Sequence, residues 1–201
     1  MSRGRLFVIT APSGCGKSSL RRLLVAKDSF IEFCPSVTTR VPRPGEVDGQ
    51  DYYFVSPTAF ARMRQEGDLA EWAEVYGNFY GTPKGPIEKV LGEGSDVIVE
   101  KDVQGAMTLR EVYPDATFIF ILPPSLDELT RRIIGRGTER PEDRERRLRS
   151  ARTEMSDLGR FDYVIINVDL DRASDRLAAI VAGERAYHRR RTGQYDERGP
   201  K

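Results

Sequence analysis

The stretch that most constrains how this chain can fold is its beginning, where "RLFVIT" runs straight into "APSGCGKSS" and then into "LRRLLVAK". The first segment is β-branched and aromatic, the second is a glycine-punctuated loop, and the third carries Leu20, Leu23 and Leu24 at helical spacing. A strand, a glycine loop and a helix in that order bring the loop's backbone N–H groups together as an anion nest, to which the helix adds its positive end. The GxxxxGK[ST] pattern assigns Lys17 to the β- and γ-phosphates of a nucleotide and the Ser18 hydroxyl to Mg²⁺. Ala11 stands where that pattern has its first glycine, which is acceptable if φ stays negative there. Cys15, between Gly14 and Gly16, reads as a small neutral filler rather than a redox switch.

Three further apolar runs, in "SDVIVEKDVQG", "ATFIFILPPS" and "FDYVIINVD", end in turn residues and read as buried parallel strands. Helical patterns separate them, so the expected class is α/β with a mainly parallel sheet. Two stretches break the alternation. Residues 36–83 are rich in Pro, Gly and Tyr and contain short alternating runs, which predicts a small β-containing insertion. Residues 125–158 are strongly charged and helical. Beyond about residue 186 the tail is polar and basic and is expected to fray past a last helix.

With 201 residues, 39% hydrophobic and 31% charged, the composition is that of one soluble globular domain. A net charge of +1 argues against nucleic acid or a membrane surface as partner. Two cysteines form no metal or disulfide framework, and the apolar run at the amino terminus is too short for a signal peptide, so the expected setting is the cytoplasm. The single histidine, His188, leaves no histidine triad or metal cluster. The arginines between Arg131 and Arg152 read, on composition alone, as a solvated helix face.

The middle segment points to a second anion. Arg40 and Arg43 in "SVTTRVPRPGEVDGQDYYF" are stiffened by Pro42 and Pro44 and suit a monoester phosphate. Glu71 in "EWAE" could accept from the adjacent N1–H and amine of guanine. The order of APSGCGKSS, SVTTRVPRPGEVDGQDYYF, EWAE, GNFYGTP, EKDVQGA, FILPPS and GRGTE resembles the guanylate kinase family from about Arg5 to Val181. The resemblance implies a P-loop NTPase-like three-layer α/β fold. Its core would comprise residues 1–35, 84–124 and 159–201, with a GMP-binding insertion at 36–83 and a helical lid at 125–158.

It also implies roles for particular residues. Ser36, Glu71 and Thr82 match the positions that read guanine, while Arg40, Arg43, Tyr52 and Tyr80 match those that hold the GMP phosphate. Lys17, Arg43 and the lid arginines Arg132, Arg136 and Arg147 would gather around the transferring phosphoryl group. ATP would lie on Ala11, Pro12, Ser13, Gly14, Cys15, Gly16, Lys17, Ser18 and Ser19, with Asn167 near adenine. Glu100 and Asp102, expected on one face of a strand, would lie near GMP, and Asp102 near the Mg²⁺ shell. Val168 replaces an acidic residue often found after that asparagine, which puts donor selectivity in question.

Lys101 departs from the family pattern, which usually has an apolar residue there. By alternation it points to a helix layer, and it is expected to snorkel to water at the strand end. Implied partners are GMP and ATP, acting on a monomer or homo-oligomer. A guanylate-kinase-like interaction module is the rival reading, against which the intact Lys17, Ser18 and arginines argue. A kinase for another nucleoside monophosphate is a second rival, opposed by Ser36, Glu71 and Thr82.

Overall fold

In the computed structural model, which describes residues 3–12, 14–134 and 141–191, the four expected runs become strands of one sheet. In chain order the elements begin with β1 (Leu6–Thr10), α1 (Lys17–Lys27), β2 (Ile31–Phe33), β3 (Ser36–Thr38), β4 (Tyr52–Phe54) and α2 (Pro57–Glu66). Then come β5 (Leu69–Val75), β6 (Asn78–Pro83), α3 (Lys84–Gly92), β7 (Asp96–Lys101), α4 (Val103–Val112) and β8 (Thr117–Leu122). The chain continues through α5 (Leu126–Ile134), α6 (Pro141–Ser156), β9 (Tyr163–Ile166) and α7 (Leu170–Arg191).

The larger sheet has the order β2-β7-β1-β8-β9, and every pairing in it is parallel. Its edge strand β2 was not among the sequence expectations, because three residues are too few to show a period. The alternation of side chains along β1 makes the layers. Phe7 and Ile9 join Leu20 and Leu24 of α1 and Leu177 and Val181 of α7 on one face. Leu6 and Val8 join Ile87 and Leu91 of α3 and Ala106 and Leu109 of α4 on the other. Helices cover both faces, the three-layer arrangement a parallel sheet requires.

Residues 36–83 form a second, four-stranded sheet of order β4-β3-β6-β5. Phe60 of α2 stacks on Phe79 at 5.5 Å and, with Val37 and Leu69, forms this sheet's small core. The turn joining β5 to β6 holds Tyr76 and Gly77 at φ of 50° and 73°, the geometry of a tight two-residue hairpin. At the other end of the chain, α7 runs to Arg191, so the last helix extends past the point where fraying was expected. Among the described residues no helix is long and apolar enough to cross a membrane.

Candidate active site

The glycine loop leaves β1 at its carboxyl end and turns into α1, with Gly14 at φ 96° and Gly16 at φ 85° as the helix N-cap. Both angles are open to glycine and strained for other residues. Tyr76 alone among described non-glycine residues has positive φ, so Ala11 meets the condition set for it, and it is buried in the core. Ser13 lies outside the described residues. A side chain at Gly16 would also collide with Asn167, whose Nδ2 lies 2.7 Å from the site of an added Cβ.

Asn167, expected near adenine, packs against the glycine loop. It is buried, and its Nδ2 donates to the Cys15 carbonyl at 2.8 Å, so its amide braces the loop from below. The Cys15 thiol is buried too, and burial pushes its pKa up to about 12, which keeps it a neutral packing group.

Lys17 is the hinge of the site. Its Nζ donates to the Lys101 carbonyl at 3.1 Å, tying the loop to the end of β7. Burial pulls its pKa below the usual lysine range, while Glu100 and Asp102 act to raise it again. Lys17 and Asp102 line two cavities at once. One, of about 360 Å³, runs along the loop through Gly14, Gly16 and Ser18. The other, of about 330 Å³, opens between the two sheets and is lined by Ser36, Tyr52, Glu71, Tyr80 and Glu100.

Glu100 and Asp102 are not neighbours on one strand face. β7 ends at Lys101, and Asp102 becomes the N-cap of α4, accepting from the Gly105 N–H at 2.7 Å. Glu100 turns to α1, where it accepts from Ser18 Oγ at 2.8 Å and from Arg21 Nε at 2.9 Å. A serine hydroxyl with carboxylates close by is a hard-oxygen set that suits Mg²⁺ shared with phosphates and water. No cluster of three acidic, cysteine or histidine ligands accompanies it among the described residues.

Lys101 overturns the expectation that it would snorkel. It does face the α3–α4 layer, but β5 of the insertion closes over it there, and it is 7% exposed. Its Nζ donates to Glu71 Oε1 and to Ser36 Oγ, each at 2.8 Å. Thr82, opposite Glu71 in the β5–β6 ladder, donates to the same Oε1 at 2.5 Å. Gly105 permits this approach, since a Cβ there would stand 3.4 Å from Glu71 Oε2 and 3.1 Å from Asp102 Oδ1. The three expected base-reading residues are thus brought together around a lysine.

The phosphate-holding set is assembled less completely. Tyr52 and Tyr80 meet edge to face at 6.0 Å, and the Arg40 guanidinium lies over the Tyr52 ring at 5.3 Å. Arg40 is held by both oxygens of Glu46, at 2.8 and 2.9 Å, and this contact lowers the Glu46 pKa. Arg43 is exposed, and its backbone N–H binds the same Glu46. Neither arginine lines the second cavity.

In the charged helices the composition reading holds for Arg131 and Arg149, which are exposed and paired within their own helices. Arg132 differs. It binds Glu128 at 2.9 Å and reaches the Asn167 carbonyl at 3.2 Å. Arg136 and the Arg147 side chain lie outside the described residues.

Glu154 of α6 carried no signal in the sequence, where it is one acid in a charged helix. It lines the loop cavity, and burial raises its pKa, with Ser150 Oγ as its hydrogen-bond donor at 2.8 Å. Its ionised form is therefore disfavoured in the folded protein, and stability rises as pH falls through its elevated pKa. Glu154→Gln should abolish that rise in a pH series of denaturation curves. It should also tighten polyphosphate binding at neutral pH by about 1 kcal/mol, since a negative charge leaves an anion-receiving cleft. Unchanged affinity and an unchanged pH profile would place Glu154 outside the cleft's electrostatics.

The glycine-loop cavity and the cavity around Glu71 thus share Lys17 and Asp102. The guanylate kinase family model matches residues 3–184. The chain belongs to the guanylate kinase family. It is 51% identical over 178 residues to the guanylate kinase of Dechloromonas aromatica (strain RCB), covering 89% of this chain and 88% of that one. It is 49% identical over 184 residues to that of Symbiobacterium thermophilum, covering 92% and 87% of the two chains. The crystal structure of guanylate kinase from Anaplasma phagocytophilum superposes with a TM-score of 0.75 at 36% identity, over 92% of this chain and 87% of that one. The family makes this protein a nucleoside monophosphate kinase.

Proposed function

We propose that the enzyme transfers the γ-phosphoryl group of ATP to the 5′-phosphate of GMP, and of dGMP, giving GDP and ADP. The observation that carries this reading is the pair of cavities sharing Lys17 and Asp102, one along the phosphate loop and one around Glu71. ATP then occupies the loop and GMP the cleft between the sheets. The insertion at 36–83 serves as the GMP-binding unit and 125–158 as the lid.

Phosphoryl transfer asks the protein for positioning and charge neutralisation more than for covalent chemistry. Lys17, at the wall between the cavities, neutralises charge on the transferring group, and Arg132 with its lid neighbours adds to it. Ser18, with Glu100 and Asp102 acting through water, would hold Mg²⁺. An ion held there would supply Lewis-acid neutralisation of phosphate charge. No general base is needed, because a phosphate monoester with a second pKa of about 6 is already an anionic nucleophile near neutral pH. Arg40 trades the Glu46 carboxylate for the GMP phosphate, and closure of insertion and lid excludes water that would otherwise hydrolyse ATP.

A coupled assay of ADP release from ATP, run against GMP, dGMP, AMP, CMP and UMP, tests this directly. Turnover confined to the two guanine nucleotides is the expected result. Equal turnover of AMP would overturn the acceptor assignment, and none with any monophosphate would favour an interaction module.

A further inference from the structure

Lys101 has no explanation in stability. Val97 and Val99 fill the same side of β7 with apolar packing against α3 and α4. An apolar side chain would continue that packing, whereas a buried ion pair of this kind often does no better than such a replacement. The ammonium has three protons, and Glu71 and Ser36 take two of them. The third remains in the wall of the cavity that Lys101 lines. On Glu71 the two donors Lys101 and Thr82 share Oε1, which leaves Oε2 as the acceptor for a ligand.

An acceptor and a donor side by side are complementary to a lactam edge, where an N–H stands next to a carbonyl. Guanine has that edge in N1–H and O6, while adenine presents the reverse order and would meet both groups wrongly. We propose that Lys101 is a specificity-determining residue, whose ammonium donates to O6 of guanine while Glu71 accepts from N1–H. This rests on guanine being the acceptor's base.

The test compares GMP with 6-thio-GMP, which keeps N1–H and the amine but replaces O6 by the poorer acceptor sulfur. With the wild-type enzyme, kcat/KM should favour GMP by roughly 10- to 100-fold, the range of a hydrogen bond to a charged group. In Lys101→Met the ratio should fall close to one, and in Lys101→Gln, which retains a neutral donor, it should be intermediate. If Lys101→Met does not fold, Lys101→Gln and the wild-type comparison still decide. Equal use of both substrates by the wild type overturns the contact to O6. So does a proportional loss on both in the variants, because Lys101 would then only hold Glu71. Absence of GMP turnover in the wild type is a different result, and it removes the guanine reading itself.

Discussion

Lys17→Ala is expected to lower kcat by about 10²- to 10³-fold, the scale found when one preorganised charge-stabilising donor is removed from a reacting centre. GMP should still bind, since Ser36, Glu71 and Tyr80 stand on the insertion's own strands. Lys17 lines both cavities, as Asp102 does, and its Nζ is fixed by the Lys101 carbonyl rather than by a carboxylate. Burial lowers its pKa, and an arriving polyphosphate acts to raise it again. Nucleotide affinity at the loop should therefore fall as pH rises through the Lys17 pKa. Single-turnover kinetics and calorimetry in buffers of different ionisation enthalpy measure both effects. Wild-type turnover in the variant would remove Lys17 from this role.

Glu71→Ala should do two kinds of damage. It leaves the Lys101 ammonium buried with Ser36 as its remaining side-chain partner, and losing one member of a buried pair costs about 3–5 kcal/mol of stability. It also deletes the carboxylate acceptor, weakening GMP by about 1.5–3 kcal/mol. Glu71→Gln separates the two. A carbonyl oxygen can still receive Lys101, so the stability loss shrinks, while GMP binding remains impaired because the new amide offers donors to a donor edge. The double variant with Lys101→Met should be more stable than Glu71→Ala alone, since no unpaired charge is left. Denaturant unfolding and GMP titration calorimetry read these quantities. Full stability in Glu71→Ala would mean that the pair contributes nothing, and unchanged GMP affinity would take Glu71 out of the base site.

Much of this arrangement was legible in the chain because it depends on short-range order. Strand, glycine loop and helix follow one another within residues 5–27, and the loop's angles at Gly14 and Gly16 are properties of those residues. The apolar runs of β1, β7 and β8 declare buried strands without reference to their partners, whereas β9, expected to be buried as well, is a parallel strand at the sheet edge with Val164 and Ile166 exposed. The three-residue β2 does not, since it is a strand only because β7 pairs with it.

What only the tertiary structure decided concerns groups whose partners lie far along the chain. The bond from Asn167 to the loop, 152 residues away, has no sign in the local sequence. Glu154 looks like one more solvated acid until α6 is laid over the glycine-loop cavity. Lys101 is the sharpest case. Alternation told which way its side chain points, but whether that direction leads to water or to a carboxylate depends on the insertion folding back over β7. The sequence by itself determined the strand, the loop and the kind of chemistry they hold. The pairing of charge across 30 residues, which gives the buried Lys101 its carboxylate, needed the second sheet. Burial makes an unpaired charge costly, so where a charge is buried its partner has to be supplied by tertiary contact rather than by local sequence.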